Sequence, residues 1–378
     1  MGARLQVAIA TAGRFHVFDL ARELRALGHD VMLYSYVPRQ RARQFGIKDE
    51  YYIGLLPLVA PALICQRLAR RYFPRATEWF LYKSLNWAVR LRLRPCDVFV
   101  AMSGIYLEAA RYAKREFNAK VWLERGSQHI LSQDEILRQI PGAERPSALT
   151  TEREREGYEL ADQIVIPSKH VENSFRRDPS AFAKLFRNPL GVDLDAFPYP
   201  GPKDPHEPFT LLFVGNWSLR KGCDLLTKAV MTVRDVRLLH VGSVSDAHFP
   251  ADDERFVHVD TVSQTGLSQF YAQADALVLP SREDGFGMVI PQALASGLPV
   301  ICTDRTGGPD LAYTPALAER ITVVPSDDAA ALATAIQSLT ERLRRDGRLP
   351  PLGQRDRELL SWTSYARRYS DELRRKFA

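Results

Sequence analysis

The 378-residue chain predicts an α/β protein of two doubly wound, Rossmann-like domains facing each other across a cleft. Strand-like apolar runs alternate with amphipathic helical segments, which is the rhythm of parallel sheets. A proline-rich stretch interrupts that rhythm near mid-chain, and the same rhythm then starts afresh. With 46% hydrophobic and 25% charged residues, the chain can fill two separate cores.

The first strand is LQVAIAT, 5–11, followed by a turn at Gly13. In the next segment, HVFDLARELRALGHD, Val17, Leu20, Leu24 and Leu27 recur on one helical face. That helix closes at Gly28, and VMLYSYV is the second strand. The alternation resumes with strand DVFVAMS (97–103), helix YLEAARYAKREF and strands KVWLERG and QIVIPS (163–168). Six prolines from Pro189 to Pro208 then deny continuous helix or sheet, so this stretch reads as a linker. Beyond it come FTLLFVG, a helix from Lys221, VRLLHVG, RFVHVD, helix LSQFYAQA, ALVLPS, a helix from Phe286, PVICT, RITVVP and a helix from Asp327. A last amphipathic helix, within DRELLSWTSYARRYSDELRRKF, is expected to cross back to the first domain. The expected division is 1–190, 191–358 and a returning helix in 359–378.

Cys65, Cys96, Cys223 and Cys302 lie far apart without C-x-x-C spacing, which argues against a zinc site or a disulfide framework and for thiols in a reducing compartment. No run of eighteen apolar residues occurs, and the N-terminal apolar stretch is too short for a secretory signal. Gln6 breaks the myristoylation pattern. A cytoplasmic protein is expected.

The net charge of +6 is concentrated: residues 61–95 hold eight basic side chains against one acid, Glu78. Trp79, Phe80 and Trp87 stand among Arg67, Arg70, Arg71, Arg75, Lys83, Arg90, Arg92 and Arg94. A basic amphipathic surface with aromatic anchors suits anionic headgroups, and a pair of ordinary domain helices with solvated arginines is the alternative. Base-stacking and groove-reading motifs are missing, so nucleic acid is not an expected partner.

The richest stretch is LPSREDGFGMVIPQALASGLPVICT, from Leu279 to Thr303. A strand delivers Arg282, Glu283 and Asp284 to the cleft. Backbone N–H groups of Gly285, Phe286, Gly287, Met288 and Val289 then open a helix, an arrangement that accepts a diphosphate. Gln292, further along that helix, is placed to hold a ribose diol while the carboxylates hold sugar hydroxyls. Together these describe a nucleotide-sugar site.

These residues resemble the signature of retaining GT-B glycosyltransferases, in particular glycosyltransferase family 4, in which two glutamates flank E-G-F-G at a spacing of seven residues. Here Asp284 and Gln292 stand at the two positions, with Glu283 beside the first. LLFVGNWSLRKGCDLLTKAV is similar to the family's phosphate loop: Lys221 matches its lysine, Gly215 its opening glycine, Asn216 replaces its arginine, and Arg220 is the nearest substitute. ELADQIVIPS, NPLGVDLDAF and FYAQADALVLPS also look like family segments. In the first domain, WLERGSQHI falls where the family often presents a histidine near the reacting carbon, which makes His129 the candidate, and Gly13 falls in a loop that approaches the donor phosphates. Glu124 and Arg125 either contact the acceptor or pair with each other. Glu152, Glu154 and Glu156 read as a solvated helix face.

The resemblance implies a GT-B enzyme moving a hexose-type sugar, with retention, from a nucleotide diphosphate sugar to a glycan or lipid-linked acceptor, as in polysaccharide or glycolipid biosynthesis. It implies no cofactor and no metal, Arg220 and Lys221 meeting the charge of the leaving diphosphate. It also implies an acceptor-side first domain and a donor-side second domain, and the basic aromatic segment 61–95 on the acceptor side then suits peripheral attachment at the inner face of a membrane. Two other classes stay open. One is a non-transferase GT-B enzyme, an epimerase or hydrolase. The other is a catalytically idle binding subunit, suggested by the replaced glutamates. A dinucleotide dehydrogenase is not expected, because neither half carries G-x-G-x-x-G after its first strand.

Overall fold

The computed structural model describes residues 4–201 and 208–377; residues 202–207 of the predicted linker, like positions 1–3 and 378, lie outside the described residues. Two parallel sheets form the frame. The first holds β1 (Gln6–Thr11), β2 (Asp30–Ser35), β3 (Tyr52–Gly54), β4 (Val98–Met102), β5 (Lys120–Glu124), β6 (Gln163–Ile166) and β7 (Leu185–Arg187), in the order β3-β2-β1-β4-β5-β6-β7. The second holds β8 (Phe209–Val214), β9 (Val236–Val241), β10 (Phe256–Val259), β11 (Ala276–Leu279), β12 (Val300–Thr303) and β13 (Ile321–Val324), in the order β10-β9-β8-β11-β12-β13. In each sheet the order reverses beside the first strand, which opens a crevice at the carboxyl ends of the strands where ligands bind in such folds.

Strands covered on both faces read as unbroken apolar runs. β12 is Val-Ile-Cys-Thr and β11 Ala-Leu-Val-Leu, every residue buried. The three-residue β3 and β7 escaped the sequence reading because a single pair of apolar residues carries no period.

Between β3 and β4 the chain forms two helices, Leu56–Ala69 and Pro74–Arg92. Val59, Ala62, Leu85, Ala88 and Val89 bury one side of this basic pair against the first domain. Its other side leaves Leu68 71%, Tyr72 74%, Phe73 65%, Trp79 52% and Trp87 53% exposed.

The last helix, Trp362–Phe377, turns Trp362, Tyr365, Ala366, Tyr369 and Leu373 inward, a helical period, and joins the core of the first domain beside the Val17–Ala26 helix. Thr363 donates to Glu23 at 2.8 Å, and Ser370 shares a hydrogen bond of 2.8 Å with His29. The chain therefore passes between the domains twice. The passes lie side by side: Val192 bridges to Ser361, and the Val192 N–H donates to the Leu360 carbonyl at 2.8 Å. A Cβ on Gly191 would stand 2.6 Å from the Ser361 oxygen, so only glycine permits this approach.

Candidate functional site

The site lies where the carboxyl ends of β8 and β11 face those of β5 and β6. The loop after β8 ends at Gly222, whose φ of +72° and closeness to the Pro280 carbonyl, 2.1 Å from a hypothetical Cβ, demand glycine. The helix behind it runs Cys223–Thr232, not from Lys221 as the sequence suggests; Arg220 and Lys221 belong to the loop. Both reach across to the loop after β11. Lys221 Nζ lies 2.5 Å from Asp284 Oδ2, and Arg220 donates to Glu283 Oε2 at 2.9 Å. Neither cation is simply solvated at a helix start. Burial pushes the Asp284 carboxyl up, but Lys221, assisted by Arg220, holds it below the usual carboxylate value.

Glu283 also accepts from Ser127 Oγ, in the loop after β5, at 2.7 Å. It is 1% exposed and ties the two domains together through its two oxygens, whereas Asp284 engages only its own domain. Ser168 Oγ donates to the Gly285 carbonyl at 2.7 Å, and a Cβ on Gly285 would sit 1.8 Å from the Gly126 oxygen. The turn thus rests directly on the first domain. Asp310 completes the seam by accepting from the Lys169 N–H at 2.9 Å and from Arg187.

The predicted helix from Phe286 begins later, at Val289, and ends at Ala295. Gly287, at φ +81°, breaks the turn before it, and the Phe286 N–H is engaged by Asp284 Oδ1 at 3.3 Å. The Phe286 ring packs on Gly307, and Met288 packs against the cores of both domains. Gln292 is 7% exposed, and its Oε1 accepts from Tyr271 Oη at 2.8 Å. That tyrosine fixes the orientation of the carboxamide and escaped the sequence reading. Gly215 takes φ +143°, and Asn216 is clamped between Ser243 and Ser245 at 3.0 and 2.9 Å.

On the first-domain side, Gly13 lies in the loop after β1, its carbonyl accepting from Thr11 Oγ1 at 3.0 Å. Glu124 and Arg125 do not pair with each other. Glu124 lies 2.9 Å from His16 Nε2, and Arg125 pairs with Glu154 at 2.9 Å. Glu154 is 4% exposed, which corrects its reading as part of a solvated face. His129 is 2% exposed, its ring between Tyr158 and Phe175, and its Nδ1 accepts from the Leu131 N–H as the N-cap of helix Ile130–Arg138. Burial, seconded by Arg177, lowers its pKa to about 4. The structure therefore gives His129 a capping position inside the first domain, whereas Gly126, Ser127, Ser168, Lys169 and Arg187 are among the groups that meet the second domain.

Residues 208–342 match the model of the family described as glycosyl transferases group 1. The chain is 28% identical over 173 residues to a D-inositol 3-phosphate glycosyltransferase of Xylanimonas cellulosilytica, covering 37% of this chain and 42% of that protein. It is 30% identical over 114 residues to a sulfoquinovosyl transferase of Arabidopsis thaliana, covering 29% of this chain and 22% of that one. The chain thus spans less than half the length of either relative. Among solved structures, a sucrose-phosphate synthase from Thermosynechococcus elongatus superposes with a TM-score of 0.66 at 19% identity over 99% of both chains. Anabaena HepE in complex with UDP-glucose gives 0.66 at 14% identity over 98% of this chain and 99% of that one. The architecture is GT-B.

Proposed function

The second domain belongs to the glycosyl transferases group 1, and from that premise we propose that the protein transfers a hexose-type sugar from a nucleotide diphosphate sugar to a glycan or lipid-linked acceptor, with retention of configuration. The observation that carries this reading is the cross-loop charge set, Lys221 with Asp284 and Arg220 with Glu283, at the carboxyl ends of β8 and β11 and against the first domain. A donor diphosphate entering between those loops exchanges the carboxylate partners of the two cations for phosphate oxygens. Lys221 and Arg220 then stabilise the charge that grows on the leaving diphosphate, a task that needs no divalent ion. Asp284, released from Lys221, is free to accept hydroxyls of the donor sugar.

In the proposed reaction the bond from the anomeric carbon to the phosphate oxygen breaks, and its electron pair stays on the diphosphate. The acceptor hydroxyl attacks from the same face and passes its proton to that phosphate oxygen. No enzyme nucleophile is required, and none is assigned to His129. Gln292, held by Tyr271, takes the ribose diol. UDP-sugars are the first donors to try, because neighbouring structures were solved with UDP and UDP-glucose.

The exposed aromatic face of the basic helix pair supports attachment to an anionic membrane surface beside the acceptor side of the cleft. No helix among the described residues is long and apolar enough to cross a membrane.

The test is incubation of the protein with a panel of nucleotide sugars, with and without glycan and lipid-extract acceptors, following nucleoside diphosphate release and product anomer. Acceptor-dependent release with retained configuration supports transfer. Release or isomerisation without acceptor identifies a hydrolase or epimerase, and lack of donor affinity by calorimetry identifies a binding subunit.

A further inference from the structure

A cavity of about 470 Å³ opens between the domains next to the charge set. Its second-domain wall includes Leu219 and Arg282, the chain neighbours of Arg220 and Glu283, so it adjoins the proposed donor site. Its first-domain wall is apolar at Ile136, Ile140 and Pro141. Of the charges that line it, Asp224 and Asp327 share one partner, Arg282, at 2.6 Å each. The remaining one is Arg305, in the loop after β12, which is partly buried and makes no hydrogen bond or ion pair among the described residues. A half-buried guanidinium with no partner is poorly compensated in a protein otherwise dense in ion pairs, and its five donors fit carboxylate or phosphate oxygens.

Beside it stands His170, at the start of the short helix after β6, whose buried Nε2 has no partner. Burial and then the Arg305 charge hold His170 toward its neutral form, while Glu283, Asp304 and Asp284 oppose that. An anion on Arg305 would weaken that repulsion. An unpaired guanidinium thus faces a cavity with an apolar lip, and a buried imidazole from the other domain lies within reach of its charge.

We propose that this cavity is the acceptor subsite and that Arg305 selects an acceptor carrying an anionic group, a carboxylate or a phosphate, within reach of the transferred sugar. This rests on the transferase reading and goes beyond it by naming the acceptor's chemistry and the residue that reads it. Arg305 is a specificity-determining residue with no part in bond breaking.

The test is calorimetric titration of the wild type, Arg305→Gln and Arg305→Lys with inorganic pyrophosphate and with glucuronate, each in the absence and presence of saturating UDP. Glucose serves as the neutral control. With UDP bound, the wild type is expected to bind one of the two anions, and which one distinguishes a phosphate-bearing from a carboxylate-bearing acceptor. Arg305→Gln should weaken that binding at least about tenfold and Arg305→Lys should largely restore it, with UDP affinity equal in all three. Anion binding that is absent from the wild type, or undiminished in Arg305→Gln, overturns the proposal. Loss of UDP binding in the wild type would instead count against the donor reading, and the titrations without UDP would still report on Arg305.

Discussion

The cleft and the outer face of the basic helix pair are both rich in cations, and they treat them in opposite ways. In the cleft, Arg220, Lys221 and Arg282 each meet a carboxylate within 3 Å, and the acids are largely buried or shared with the other domain. On the helix pair, Arg70 meets Glu144 and Lys83 meets Glu108, while Arg67, Arg71, Arg75, Arg90, Arg92 and Arg94 have no ion-pair partner among the described residues. There the aromatic rings point outward. Under the proposed function, the first set is held in register by partners that a ligand's charge replaces, while the second, facing a broad anionic surface, needs only exposure with apolar anchors between its charges.

The largest expected effect tests the outer half of that contrast. Changing Arg67, Arg70, Arg71 and Arg75 together to Gln removes four contributions of about 1 kcal/mol each to binding at an anionic bilayer. Sedimentation with anionic vesicles at low salt should show loss of binding with the fold intact, and the wild type should release at high salt. Equal and negligible sedimentation of both proteins would leave the helix pair as a solvated face.

Lys221→Ala addresses the inner half. It should weaken nucleoside diphosphate binding by about 1.5 to 3 kcal/mol. It also leaves Asp284 without its cation, so thermal stability should fall as well. Full affinity for UDP in a folded variant would show that the phosphates lie elsewhere.

A third test separates His129 from the cleft. Its pKa of about 4 lies below the 6.5 of a free imidazole, so the unfolded chain binds the extra proton between these values. Its stabilising contribution is complete above about pH 6.5 and is lost as pH falls toward 4, on the order of 1.4 kcal/mol per pH unit. His129→Asn, which can still cap the helix, should flatten that slope in denaturant titrations at several pH values while transfer activity persists. An unchanged slope with abolished transfer would return His129 to the chemistry.

The smallest effect is expected from Gln292→Glu. The carboxylate can keep the hydrogen bond from Tyr271 and accept a diol well, so donor affinity should stay within about 1 kcal/mol of the wild type or improve. A folded variant unable to bind donor would mean that the amide N–H donates to the nucleotide.

Both domains were legible in the sequence because strand and helix periods repeat over many residues, and the loop from Arg282 to Gly287 could be read because its acids and glycines are contiguous. What joins Glu283 to Ser127 is a contact across 156 residues. Nothing local in ERGSQH distinguishes that serine from a surface one. Asp310 and Tyr271 escaped for the same reason: their partners lie in other elements. The capping position of His129 was not legible because an N-cap is defined by backbone geometry, and a histidine in a loop after a strand reads the same whether it faces ligand or helix. Glu154 misled because alternating acids and bases in EREREG look solvated until Arg125 is seen beside it.

The paired passes at Val192 and Ser361 carry a mechanical consequence. A single tether leaves two bodies free to turn about one point, whereas here any separation of the domains must bend both passes together at the Val192–Ser361 bridge.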